Sequence, residues 1–263
     1  MVPPRLATHD GGSGGVGVSD LAEVYCPLAE LIGKRAGEAP RGVPFIVSVV
    51  GSVAVGKSTS ASALRALLAV TPPGHRVDVV ATDGFLFSNR ELAERGLTER
   101  KGFPETYDLE VLTRFLEDVR GAHAEVRVRR YSHLLYDVVD DVQIVDRPDV
   151  LILEGMPLAN DRVDLSVYLD AAEPDIEEWF VSRFVALCRA AVDDDTSFFF
   201  RHFAGYTEEQ STALARDVWV TINSVNLREH ILPTRDQCDV ILEKGHDHAV
   251  KLVRIREDAA STS

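Results

Sequence analysis

PFIVSVVGSVAVGKSTSASALRALLAV, residues 44–70, decides the fold. Its opening, PFIVSVV, is a short, largely β-branched run bounded by Pro and Gly, and its close, SASALRALLAV, repeats apolar residues at helical spacing. Between them Gly51, Gly56, Lys57 and Ser58 satisfy G-x-x-x-x-G-K-[ST], the phosphate-binding loop. A strand that feeds such a turn and then a helix aims backbone N–H groups and the positive helix end at one point, where a polyphosphate is held. The candidate nucleotide site is therefore Gly51, Ser52, Val53, Ala54, Val55, Gly56, Lys57, Ser58 and Thr59. Lys57 is placed to reach the β and γ phosphates and Ser58 to ligate magnesium. A fortuitous glycine-rich turn is the alternative, and the strand and helix on either side argue against it.

Outward from this unit the same alternation recurs. RVDVVATD (76–83), EVRVRRY (125–131), DVLILEG (149–155) and DLSVYLD (164–170) read as strands, and DVILEKG and AVKLVRIRE as two late ones. DVLILEG is almost continuously apolar, as a strand covered on both faces should be. Helical spacing predicts a first amphipathic helix over 19–37, another at 109–121 and a long one after Pro174, while Thr207 and Gln210 have capping-box spacing before a further helix. The expected fold is α/β: a three-layer sandwich with a mainly parallel sheet and the strand, phosphate loop and helix of P-loop nucleotide-binding proteins. One domain is expected over residues 19–257, with a disordered Gly- and Pro-rich segment at 1–18 and a flexible tail at 258–263.

The 263 residues suit one large domain, and 45% hydrophobic with 27% charged residues exclude a disordered or disulfide-stapled chain. With 28 Lys+Arg against 42 Asp+Glu the net charge is −14, which argues against nucleic acid or an anionic membrane as a partner. Cys26, Cys188 and Cys238 have neither metal-ligand nor C-x-x-C spacing and read as reduced thiols. No signal-peptide pattern and no apolar run long enough for a membrane helix is present, so a cytoplasmic protein is expected.

Two carboxylates complete the candidate chemistry. Asp83 stands where an apolar strand ends, the place where open α/β sheets bind ligands, and a carboxylate there can accept the proton of an attacking hydroxyl. An Asp-Gly turn pair is its bland alternative. Glu154 ends DVLILEG like a Walker B acid and would hold magnesium. Neither N-K-x-D nor a D-x-x-G after the apolar strand is found, so a kinase of a small hydroxyl compound is favoured over a GTPase.

These residues belong to a longer series: GSVAVGKST, TDGFL, RGL, RKGFPETYD, YSHLLYD, PDVLILEG, WFVSRF, INSVNL, HILPTR and HAVKLVRIR. In that order the chain resembles bacterial type I pantothenate kinases, P-loop kinases that phosphorylate pantothenate at the first committed step of coenzyme A synthesis. The resemblance implies ATP and Mg²⁺ as cofactors, a small-molecule hydroxyl substrate and a homodimer. It implies that Lys57 and Ser58 serve ATP and magnesium, that Asp83 is the catalytic base and that Arg183 lies near the transferring phosphate. Tyr131, His133 and Asn223 would hydrogen-bond pantothenate, Phe180, Phe184 and Phe199 would line the acceptor pocket, and His248 would lie against the adenine. From the residues alone His133 reads as a structural histidine and Arg183 as a surface one.

The chain departs from the family pattern as well. It is shorter in the N-terminal helical region and after Glu154, where EGMPLAN replaces EGLNVLQ, and Pro157 removes a backbone donor. Phe180 replaces a tyrosine, Leu187 and Val192 replace aromatics, and SFFFRHFAGY is one residue longer than its counterpart. Ser62 stands where an arginine often contacts coenzyme A, which implies weak or absent feedback inhibition. Two alternatives to pantothenate phosphorylation follow: a paralogue acting on another hydroxyl, such as a nucleoside sugar, and a nucleotide-binding regulator without catalysis.

Overall fold

A computed structural model of the chain describes residues 16–121, 125–157, 162–191, 199–203 and 205–256. The expectations for residues 1–15 and 257–263, for Val192 and for the start of SFFFRHFAGY lie outside them.

A helical segment opens the described chain at Val18, runs through a π-helical turn (Leu21–Tyr25) and continues as α1 (Cys26–Glu38). Strand β1 (Phe45–Gly51) is buried along its whole length and leads through the glycine-rich loop into α2 (Lys57–Val70). Then come β2 (Val77–Ala81), a 3-10 turn (Thr82–Phe85), α3 (Asn89–Glu94) and α4 (Leu109–Arg120). β3 (Val126–Ser132), β4 (Asp137–Val145), β5 (Val150–Gly155) and β6 (Leu165–Ala171) follow. Helices α5 (Glu173–Ala190) and α6 (Glu208–Val218) precede β7 (Val240–Lys244) and β8 (Val250–Ile255). The capping box at Thr207 and Gln210 forms as its spacing predicts.

The main sheet has the order β2-β5-β1-β6-β7-β8, parallel except for β8. Its central strands β5, β1 and β6 are apolar on both faces because helices cover both, whereas the edge strand β8 is exposed. Val47 and Val49 of β1 face a core with Ile32 of α1, Leu64 and Leu68 of α2, and Trp179 of α5. Ile46, one residue out of phase, faces a second core with Phe115 and Leu116 of α4. Each such aliphatic side chain contributes about 1.5–3 kcal/mol by burial, so the strand ends that carry the chemistry are held by both cores.

The hairpin β3–β4 departs from the sequence reading. EVRVRRY is a strand, but it lies outside the parallel sheet and pairs antiparallel with β4, which the sequence analysis did not identify. The reason is its alternation: Val126 and Val128 are buried against α4, while Arg127 and Arg129 point outward, so only one face is covered.

Candidate active site

The register of the sheet brings the chemistry together. Glu154 of β5 lies between Ala81 of β2 and Val49 of β1, so the phosphate loop, Glu154 and the Asp83 turn leave neighbouring strand ends. They share one cleft of about 1350 Å³. Gly51 has φ 146°, and a Cβ there would stand 2.5 Å from the Leu169 carbonyl oxygen, so the loop needs glycine at its first position. Ala54 and Gly56 are also at positive φ, which turns successive N–H groups inward ahead of α2.

Lys57 donates to the Ser52 carbonyl at 2.8 Å, and Ser58 Oγ donates to Glu154 Oε1 at 2.9 Å. Burial pushes the Lys57 ammonium below its usual range, the Glu154 and Asp83 carboxylates oppose that shift, and Arg183 adds to it. Lys57 is thus a desolvated cation facing two acids and one guanidinium. Ser58 and Glu154 supply a hydroxyl and a carboxylate oxygen side by side, which fits Mg²⁺, a hard cation that takes one or two protein oxygens and completes its shell with phosphates and water. Among the described residues no group of three or more His, Cys, Asp or Glu could hold a metal by itself, and a site completed by phosphates needs none.

Asp83 sits in the 3-10 turn that follows β2 and accepts a hydrogen bond from Tyr107 Oη at 3.1 Å. The neighbouring Gly84 serves close approach rather than a turn alone: a Cβ there would collide with the Arg129 carbonyl oxygen of β3. Lys101 lines the same space, donating to Asn89 Oδ1 at 2.6 Å and to the Tyr136 carbonyl at 2.5 Å, with its ammonium 4.3 Å from the Tyr136 ring centre. Burial pushes Lys101 down to about 8 against the pull of Asp137 and Asp83. An acidic chain thereby concentrates Lys57, Lys101, Arg183 and Lys244 around one cleft.

Of the predicted site residues, Gly51, Val53, Ala54, Gly56, Lys57, Ser58, Thr59, Asp83, Tyr131, His133, Glu154, Arg183, Asn223 and His248 line the cleft, whereas Ser52 and Val55 of the loop do not and are buried. His248 stacks on Trp179 at 3.9 Å between ring centres. Tyr131 and His133 meet edge to face at 5.2 Å. Phe180, Phe184 and Phe199 are not brought into the cleft. Phe180 packs on Trp219 and Phe184, Phe184 is buried against Phe200, and Phe199 stacks behind the cleft-lining Tyr136 at 4.2 Å.

Sequence reasoning assigned no role to several residues that the fold places here. Lys101 and Tyr107 lie in RKGFPETYD and Tyr136 in YSHLLYD, so the signal was present in segments already singled out. Lys244 ends β7, is buried, and donates to the Val55 carbonyl at 3.0 Å beneath the phosphate loop. Burial pushes its ammonium down to about 8. Asn226 and His230 reach the cleft from the consecutive short helical turns after α6, two of them π-helical, where Asn226 donates to the Gly102 carbonyl at 2.9 Å.

No family model matches the chain. Among curated proteins it is 39% identical over 289 residues to the pantothenate kinase of Histophilus somni, covering 97% of this chain and 90% of that protein. It is 44% identical over 270 residues to the pantothenate kinase of Myxococcus xanthus, covering 91% and 85%. The first alignment exceeds the 263 residues of this chain, so that relative carries segments this one lacks. Among solved structures, the YGR205w protein superposes with a TM-score of 0.64 over 90% of this chain and 98% of that one at 16% identity. YFH7 of Saccharomyces cerevisiae gives 0.58 over 86% and 99% at 14%, and both likenesses are of fold alone. Relatives at about 40% identity that span nearly the whole chain settle the family: the protein belongs to the pantothenate kinase family.

Proposed function

We propose that the chain is an ATP-dependent pantothenate kinase that transfers the γ-phosphoryl group to the pantothenate hydroxyl. The observation that carries this reading is identity to two pantothenate kinases over at least 91% of the chain, with the phosphate loop and Asp83 facing one cleft. ATP binds at the loop, its phosphates against the α2 N-terminus and Lys57, and its adenine against His248 on Trp179. Mg²⁺ held by Ser58 and Glu154 neutralises phosphate charge when bound. Asp83 takes the hydroxyl proton, Lys57 and Arg183 stabilise charge on the transferring group, and Tyr131, His133 and Asn223 orient the acceptor. Phe180, Phe184 and Phe199 act by packing: the first two anchor α5, the helix that also carries Arg183, to Trp219 and Phe200, and Phe199 backs the ring of Tyr136. The reading includes one kinase domain over 19–257, a cytoplasmic location and, as the family resemblance implies, a homodimer. No described helix is long and apolar enough to cross a membrane.

Growth of a strain lacking pantothenate kinase on ordinary expression of this chain tests the reading, and failure to grow with the protein present and folded counts against it. A second reading, a paralogue acting on another hydroxyl, is favoured by one feature: Met156 and Pro157 line the cleft beside Asp83, in the segment where the chain is short.

Pantothenate is a carboxylate, and Lys101 is a cation of the cleft with a pKa pushed down to about 8. It is charged below that pH and loses its charge as pH rises through it. If the acceptor needs that charge, kcat/KM for pantothenate falls about tenfold between roughly pH 7 and pH 9 while KM for MgATP stays level. A profile that is flat over this window, measured at constant ionic strength, removes Lys101 from acceptor binding.

A further inference from the structure

We infer that Tyr107 is the positioning residue for Asp83: its hydroxyl holds one carboxylate oxygen, so that the other is presented to the proton of the acceptor. This rests on the proposed role of Asp83 as base and adds the device that aims it.

The geometry is built from both chain segments. Tyr107 Oη donates to Asp83 Oδ1 at 3.1 Å, and the residue is only 7% exposed. A bridge between Leu86 and Tyr107 ties the two segments together, and hydrogen bonds from Asp108 N to the Phe85 carbonyl (2.8 Å) and from Phe87 N to the Thr106 carbonyl (3.0 Å) flank it. Residues 24 apart in sequence are thus stitched together at the bond: backbone pairing fixes where Tyr107 starts, and packing in the second core restrains its ring. A buried hydroxyl without a partner would cost about 1–3 kcal/mol, so the bond is also the low-energy state of Tyr107.

The other groups facing Asp83 cannot do the same work. Lys57 and Lys101 act on it through charge, and Tyr131 and Tyr136 face it as un-ionised phenols. Charge attracts the carboxylate without choosing between its oxygens, whereas a hydrogen bond selects one. Burial, followed by the charge and hydrogen bond of Asp83 and the nearby Tyr131 and Glu154, holds the Tyr107 phenol well above its ordinary range, so it stays a donor at every working pH. In the transfer, the proton leaves the acceptor oxygen for Asp83 Oδ2 as that oxygen bonds to the γ-phosphorus. The bond from phosphorus to the bridging oxygen breaks, ADP leaves with its electron pair, and Tyr107 keeps its own proton.

Tyr107→Phe deletes one oxygen and keeps the ring among Phe85, Leu86 and Leu112 of the second core. With MgATP and pantothenate, kcat is expected to fall about ten- to a hundredfold, with KM for MgATP within about twofold of the parent. The acid limb of kcat is expected to move to higher pH, because a carboxylate that loses a donor binds its proton more tightly. In an Asp83→Asn background the same substitution should cost less than about twofold, since there is no base left to aim. Unchanged kcat, an acid limb that stays in place, or an equal loss in both backgrounds overturns the inference, the last because it marks a packing role. If Tyr107→Phe does not fold, 3-fluorotyrosine at position 107 keeps the shape and strengthens the donor. The acid limb then moves down, and an unmoved limb overturns the inference. Near-normal turnover by Asp83→Asn alone, or none by the parent, removes the functional reading and this inference with it. Loss in Asp83→Asn beside a normal Tyr107→Phe removes only the inference.

Discussion

Asp83→Asn is expected to bind MgATP as the parent does and to lose about a hundred- to ten-thousandfold in kcat, the range a general base contributes. The substitution is close to isosteric, and the amide oxygen still accepts the hydrogen bond that Tyr107 donates to Oδ1. Side-chain position is therefore kept, while the group that would take the proton is replaced by one that cannot. Because Asp83 stands in the turn after β2 and not in the loop that follows β1, it supplies none of the backbone N–H groups that hold the phosphates, and nucleotide affinity is not expected to follow turnover. Titration calorimetry with MgATP, set beside steady-state kinetics, separates the two quantities. Turnover within about threefold of the parent would exclude Asp83 as the base, since that is far below the general-base range.

Lys57→Met is expected to lose about a hundred- to a thousandfold in kcat, the scale of removing one preorganised charge-stabilising donor. Its effect on stability should go the other way. Burial is the largest influence on the Lys57 ammonium and acts against its charged form, and the Glu154 and Asp83 carboxylates only partly offset that. Methionine keeps the stem volume and removes the desolvated charge, so the ligand-free Tm is expected to stay level or rise. Thermal unfolding with and without MgATP reads both effects, because the parent gains stability from the nucleotide and the variant gains less. A fall of the ligand-free Tm by about 5 °C or more would mean that Lys57 holds the loop together, through its bond to Ser52, rather than waiting for phosphate.

The parts of the site that were legible in the sequence are those that sit at the ends of regular elements. The phosphate loop, Asp83 and Glu154 each close an apolar run, and period and composition mark such runs. The remainder depends on long-range pairing. Tyr107 and Lys101 lie on a segment of short 3-10 turns whose place is set by the bridge between Leu86 and Tyr107 and by contact with Tyr136. Nothing local in RKGFPETYD encodes those partners. β4 escaped because Asp137, Asp140 and Asp141 interrupt its valines, and its exposed outer face tolerates charge. Phe180 and Phe184 show the converse failure. Aromatics spaced along α5 look the same in sequence whether they face a ligand or a neighbouring helix, and packing turned them toward Trp219 and Phe200.

Arg183 was legible only through the family resemblance, and its place in the fold gives it a physical reason. It lies on α5 in the same cleft as Lys57 and close enough to depress that ammonium, so the two cations share the space between the loop and Asp83. A polyphosphate held at the loop meets both charges, and a fixed guanidinium beside a fixed ammonium suits charge that develops on a transferring group.

Coupled ADP release with MgATP, against pantothenate and a panel of nucleosides, with Lys57→Met as the blank, tests the central claim most directly. The expected result is saturable turnover with pantothenate at a KM of about 1 μM to 1 mM, the ordinary enzyme range, and none above blank with nucleosides. Silence with pantothenate beside turnover on a nucleoside would contradict it and assign the shortened, Met156- and Pro157-lined acceptor side of the cleft to a different hydroxyl.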